Sequence, residues 1–204
     1  MNLQCRQLFT LADLYQKQRT ALKNKLQGEI EMGSPSPSVI RSIKRQLMTL
    51  LNEILAIDKE LNIFIKKGHP GMKQLLEGIP GIGTKTSSYL ILMTEGFNKF
   101  DTSRQLCSYT GLTPTIRESG SSIRGRSRIS KMGNPKIRNL LFLCSFSASK
   151  YNSSCRAIYD RIVAKGKSKK LALIAVANKL LKQAFSICKS RIPYDPNYPS
   201  LKQC

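Results

Sequence analysis

The clearest pattern of apolar and polar positions lies early in the chain. Ile43, Leu47, Leu50, Ile54, Ile57, Leu61 and Phe64 follow one another at alternating spacings of four and three. That is a heptad seam, the period that drives coiled-coil packing of helices. Upstream, Leu8, Leu11, Tyr15, Leu22 and Leu26 recur at helical spacing through a basic segment. Between the two stretches stands Gly33-Ser34-Pro35-Ser36-Pro37-Ser38, which breaks the helix because proline lacks an amide donor and restricts the residue before it. The pattern predicts a helical arm over residues 1–68. An antiparallel hairpin within one chain would bury both stripes, and so would a dimeric coil.

Lys67-Gly68-His69-Pro70-Gly71 ends the arm, and residues 69–191 read as one compact helical domain. Asn134 is placed to cap a helix with Pro135 in its first turn, running through Leu140, Leu141, Leu143 and Phe146. Ser168 is placed to cap another, carrying Leu171, Ile174, Ala175, Leu180, Leu181 and Phe185. Lys165-Gly166-Lys167 marks a basic loop before it. Residues 192–204 begin with Ile192-Pro193-Tyr194-Asp195-Pro196-Asn197-Tyr198-Pro199, too rich in proline for a helix and expected to be extended. The fold class expected is all-α.

Charge sharpens this picture. The 204 residues carry a formal net charge of +22, which points to nucleic acid, with an anionic membrane surface as the competitor. No apolar run approaches the roughly 18 residues of a membrane-spanning helix, and MNLQCRQLFTLADLYQ has no apolar signal-peptide core. A cytoplasmic, nucleoid-associated protein is expected. Six scattered cysteines and the single His69 do not make a zinc site, which needs clustered ligands. The close acidic pairs Glu29/Glu31 and Asp58/Glu60 are two apart on helices and share no face. No metal centre is expected in this chain.

Two motifs suggest chemistry. From Gly111 to Leu141, seven cations (Arg117, Arg124, Arg126, Arg128, Lys131, Lys136 and Arg138) stand against one acid, Glu118, among Ser119, Ser121, Ser122, Ser127 and Ser130. Such a segment cannot build a core, and a hydroxyl among arginines suits phosphoryl transfer; the alternative is a solvated basic loop. Upstream, Leu75-Leu76-Glu77-Gly78-Ile79-Pro80-Gly81-Ile82-Gly83-Thr84-Lys85-Thr86 has the pattern of a helix-hairpin-helix. Its glycines let backbone approach a ligand, so the amides from Gly81 through Gly83 and Thr84 to Lys85 could donate to a DNA phosphate. The alternative is an ordinary tight turn between packed helices.

In order along the chain stand Gly78-Ile79-Pro80-Gly81-Ile82-Gly83, Tyr109-Thr110-Gly111-Leu112-Thr113-Pro114, Ser119-Gly120, Ile129-Ser130-Lys131-Met132-Gly133-Asn134 and Arg138. Together they resemble the C-terminal transposase domain of the bridge-RNA-guided insertion-sequence transposases, relatives of the pilin-gene invertases. The basic arm is similar to the coiled coil that precedes that domain. The resemblance implies DNA transposition by site-specific recombination, with Ser119 attacking a phosphodiester to give a covalent DNA–serine intermediate. Arg117, Arg124, Arg126, Arg128, Lys131 and Arg138 would then hold DNA and stabilise the transferring phosphoryl group. It further implies DNA as partner, a structured guide RNA, and a homo-oligomer through the coiled coil, with no membrane. Full family members carry an N-terminal RuvC-like domain whose acidic residues bind divalent metal. The resemblance begins after that domain, which implies a truncated product, a degraded element or half of a split protein, with Mg²⁺ entering only through the missing domain. The alternative reading is a non-catalytic DNA- or RNA-binding fragment.

Overall fold

The computed structural model describes residues 3–115, 118–119, 123–124, 128–130 and 132–197. Helices dominate, as expected for an all-α chain, and the chain divides into two compact units at Gly68 and His69.

The first unit is a helical hairpin of α1, Leu3–Glu31, and α2, Pro37–Gly68. Gly33 takes a left-handed φ of 87° at the turn, and α2 starts on Pro37, where a missing amide costs nothing. Cys5, at the start of α1, feels the charge of Glu60 near the end of α2, so the two helices run antiparallel. Within the seam, Ile43, Leu50, Ile57 and Leu61 are buried and Leu47, Ile54 and Phe64 half-buried. Burying each aliphatic side chain stabilises by roughly 1.5–3 kcal/mol. The intramolecular hairpin therefore occupies the seam. Of the stripe expected on α1, Leu8, Tyr15, Leu22 and Leu26 are half-buried and Leu11 lies 37% exposed, while the buried positions are Cys5 and Phe9. The α1 segment has little apolar contrast between its faces, so position alone did not single out the inner side.

The second unit is built around α8, Lys169–Ser190, which packs on α3, α5, α6 and α7. Its core face alternates small and large residues: Ala172, Leu173, Val176, Ala177, Leu180, Leu181, Ala184 and Cys188. The alanines let neighbouring helices approach closely while the leucines and valine fill the space between them. Although α8 is long and apolar enough to cross a membrane, most of it is buried as the core helix of this unit. Around it stand α3, Met72–Glu77; α4, Thr84–Thr94; α5, Ser103–Thr110; α6, Pro135–Tyr151; and α7, Ser153–Ala164.

Caps delimit these helices as the side chains suggest. Asn134 accepts from the Lys136 and Ile137 amides ahead of Pro135, and Ser168 accepts from Leu171. Thr102 and Gln105 form a reciprocal capping box at α5. The fully buried Asn152 ends α6 and caps α7 through the Cys155 amide. Residues 192–197 are not helical, as expected, and the Ser153 hydroxyl donates to the Pro196 carbonyl.

Between α5 and α6 the chain makes four strand segments of two residues each. They are β1, Pro114–Thr115; β2, Glu118–Ser119; β3, Ile123–Arg124; and β4, Arg128–Ile129. β1 pairs antiparallel with β4, and β2 with β3, so one ladder is nested inside the other along the sequence. Segments this short carry no readable alternation of polarity, and the all-α expectation did not include them.

Candidate nucleic-acid interface

The loop between α3 and α4 is held from inside. Ile79 and Ile82 are buried, and the Ile82 amide donates to the Ile79 carbonyl at 3.0 Å. The fully buried Ser87 hydroxyl reaches both Glu77 at 3.3 Å and the Thr84 carbonyl at 2.9 Å, joining the two helices. Thr86 contacts the Cys144 thiol at 3.3 Å, tying α4 to α6.

The two glycines of the loop do different things. Gly81 has a φ of 106°, and a Cβ there would stand 2.7 Å from the Ala148 Cβ on α6. Glycine at this position is therefore explained by packing inside the protein. Gly83 is exposed, with nothing within 4 Å of a Cβ, and occupies the N-cap of α4 without a side-chain acceptor. Beside it Thr84 and Lys85 are also exposed. The first turn of a helix has amides with no intrahelical partner, and a glycine N-cap offers them no side-chain acceptor. Of the residues expected to donate to phosphate, Gly83, Thr84 and Lys85 lie on the open end of α4, while Gly81 faces α6.

The serine-rich basic segment is pinned at its root. The Ser130 amide donates to the Thr113 carbonyl at 3.0 Å, and the Asn134 amide to the Tyr109 carbonyl at 2.9 Å. Arg138 donates from Nη1 to the Thr110 carbonyl at 2.9 Å, and Asn178 from Nδ2 to the Leu112 carbonyl at 3.2 Å. Gly111 caps α5 in the left-handed conformation. At Gly133, with φ 128°, a Cβ would collide with the Tyr109 carbonyl. Two of the sequence motifs, Tyr109–Pro114 and Ile129–Asn134, thus meet at this root. Arg138, expected on DNA, spends one donor holding that root. Asn178 was missed, because nothing around it on α8 marks it.

The register sets Glu118 opposite Arg124 and Ser119 opposite Ile123. Ser119 and Arg124 thus occupy adjacent register positions of one short ladder, and Arg128 lies on β4 of the other. Arg117, Arg126 and Lys131 lie outside the described residues. Ser130 is occupied: its hydroxyl accepts the Met132 amide at 3.1 Å.

Burial lowers the Lys136 pKa, and its ammonium lies 5.4 Å from the centre of the Tyr89 ring, a cation–π distance. Burial pushes the Cys155 and Cys188 thiols up to about 12, so they stay protonated and are poor nucleophiles. Among the described residues, no three His, Cys, Asp or Glu side chains come together to hold a metal ion.

Comparison with known proteins bears on the same segment. Residues 73–160 match the family model of the transposase IS116/IS110/IS902 family. An uncharacterised 43.6 kDa protein of insertion element IS110 from Streptomyces coelicolor is 28% identical over 162 residues, covering 79% of this chain and 39% of that protein. The pilin gene-inverting protein of Moraxella lacunata is 34% identical over 123 residues, 59% of this chain and 38% of its own length. A putative transposase of Sinorhizobium fredii is 29% identical over 143 residues, 63% of this chain and 35% of its length. The chain thus spans less than two-fifths of the length of these relatives. The matched segment runs from α3 into α7 and holds both the α3–α4 loop and the serine-rich ladders. Over residues 73–160 this chain is thus similar to the transposase IS116/IS110/IS902 family.

Proposed function

We propose that the chain binds DNA and takes part in DNA strand exchange, as in transposition or inversion, with Ser119 supplying the attacking hydroxyl. The observation that carries the reading is the family match over residues 73–160, which includes Ser119, with relatives named for an insertion element and for pilin gene inversion. In the attack the Ser119 hydroxyl gives its proton to a base while a new Oγ–P bond forms. One P–O bond of the DNA strand breaks, and the departing DNA oxygen takes up a proton. One phosphoester replaces another, so the strand can be rejoined by the reverse step without an outside energy source. Arg117, Arg124, Arg126, Arg128 and Lys131, near Ser119 in sequence, would spread the charge of the transferring phosphoryl group. The open end of α4 at Gly83, Thr84 and Lys85 would position a phosphate without reading bases. The helix-hairpin-helix reading of this loop rests on that exposure.

The wider reading includes a structured guide RNA and a second copy of the chain. Since the heptad seam is used within the hairpin, a second copy would pair through the outer apolar side chains of α1 and α2. Mg²⁺ belongs to the reading only together with a RuvC-like domain.

The test is a denaturing gel of the protein mixed with labelled DNA, with and without a RuvC-like domain and Mg²⁺ added in trans. A covalent protein–DNA adduct is expected with the additions and absent in Ser119→Ala, with DNA affinity kept. An adduct that survives Ser119→Ala and disappears on changing Ser121, Ser122 or Ser130 would move the nucleophile. DNA binding with no adduct under any condition would leave a non-catalytic nucleic-acid-binding protein.

A further inference from the structure

Helix α6 has two apolar faces, and only one of them is used. Ile137, Leu140, Leu141, Cys144 and Ala148 are buried against the rest of the unit. On the outer side Leu143 is 57% and Phe146 48% exposed. Phe142 stands one turn before Phe146, with ring centroids 5.3 Å apart and planes at 81°. Leaving two aromatic rings at a surface forgoes burial that would stabilise by roughly 1.5–3 kcal/mol for a ring the size of phenylalanine. Phe142 lines a groove of about 220 Å³ together with Pro135, Arg138, Asn139, Lys170 and Ile174, and Phe146 stands one turn further along the helix. Ile129 of β4 forms its far wall, so the groove opens at the root of the segment that carries Ser119.

The chemistry of the lining selects a ligand. Among the described residues that line the groove, two are cations and none is an acid, which favours an anion. Its walls are apolar and aromatic, which favours a flat ring. Pockets for whole drug-sized molecules run from roughly 300 to 1,000 Å³, so this one suits a single ring system. Arg138, with one N–H held by the Thr110 carbonyl, presents a guanidinium of restricted orientation. A nucleobase with its phosphate meets all these conditions. In an intact duplex the bases are stacked on one another and cannot enter. Exchange of strands between duplexes must unpair bases, and an unpaired base seeks a new stacking surface.

We propose that the groove between the start of α6, the start of α8 and β4 binds one unpaired nucleobase, stacked on Phe142 with the Phe146 ring beside it, with Arg138 and Lys170 on its phosphate. This rests on the DNA-binding reading above and adds to it a site selective for unpaired strands.

The chain contains no tryptophan, so Phe146→Trp introduces a single fluorescent reporter at the site. It would be titrated with oligothymidylate, with a duplex carrying one bulged thymine, and with a fully paired duplex of equal length. Quenching is expected with the first two and not with the third. In Phe142→Leu/Phe146→Leu, and in Phe146→Leu alone should the pair fail to fold, affinity for the single strand should drop by about five- to 100-fold per stacked base lost. Affinity for the paired duplex should not change. Paired duplex that binds the wild type, with no quenching by single-stranded or bulged DNA, overturns the site and leaves DNA binding intact. Wild-type protein that binds none of the three DNAs overturns the DNA-binding reading itself. Quenching by vesicles of anionic phospholipid in place of DNA would show a membrane contact and also overturn the proposal.

Discussion

Gly81 and Gly83 are two residues apart, yet a side chain at each would meet a different fate. At Gly81 an added methyl meets both a positive φ and the Ala148 Cβ at 2.7 Å, so Gly81→Ala should destabilise by about 1–3 kcal/mol. At Gly83 there is room, and its backbone, φ −94° and ψ 172°, suits any residue. Gly83→Asp should cap α4 and stabilise by a few tenths of a kcal/mol, while its carboxylate takes up the amides and repels phosphate. Urea unfolding should therefore show the two variants moving in opposite directions, with DNA affinity falling in Gly83→Asp. Unchanged affinity in that variant would remove the open end of α4 from the DNA surface.

The buried thiols give a second prediction at this scale. Cys155 and Cys188 have pKa values pushed up to about 12 by burial, from an ordinary value of 9.0. Because the folded value lies above the unfolded one, the neutral thiols stabilise the fold fully below pH 9. That contribution is lost as pH rises from 9 towards 12. The urea midpoint should fall through this window, and fall less steeply in Cys155→Ala/Cys188→Ala despite the small cavities left. Equal slopes for the two proteins would show that other groups cause the loss.

At the scale of elements, the hairpin of α1 and α2 depends on one seam. Leu50 and Ile57 are buried in it, one heptad apart. Each large buried side chain removed costs roughly 2–5 kcal/mol, and a carboxylate put in its place adds desolvation. Leu50→Asp/Ile57→Asp should unfold the arm, seen as lost helical circular dichroism. The unit from His69 onward has its own core around α8 and should remain folded. Protection of Cys155 and Cys188 from thiol reagents reports on that unit separately. Wild-type helicity in the variant would mean that the seam does not hold the arm together.

For the whole molecule the dominant quantity is a net charge of +22 on 204 residues. Each phosphate neutralised contributes about −0.9 to the slope of log affinity against log salt. With about 6 to 10 phosphate contacts, duplex affinity should fall roughly 10³- to 10⁵-fold between about 50 and 200 mM salt. Fluorescence anisotropy at several salt concentrations measures this slope directly. A flat dependence would mean that phosphates are not what the charge meets.

What the sequence by itself determined were features governed by neighbours within a turn or two. The seam from Ile43 to Phe64, the break at Gly33–Ser38, and the caps at Asn134 and Ser168 follow from helical period, proline and a side-chain acceptor at the right offset. The order of motifs likewise carries the resemblance to the transposase family. Tertiary structure alone decided which residues meet across long stretches of chain. Arg138 reaches a carbonyl 28 residues back, and Asn178 one 66 residues back. Gly81 makes way for Ala148, and Gly133 for Tyr109. Leu143 and Phe146 belong to an apolar run that reads as core, but α8 and α4 cover the other side of α6 and leave these two exposed. A helical pattern records that a face is apolar. Whether protein, solvent or a ligand covers that face depends on where distant elements pack.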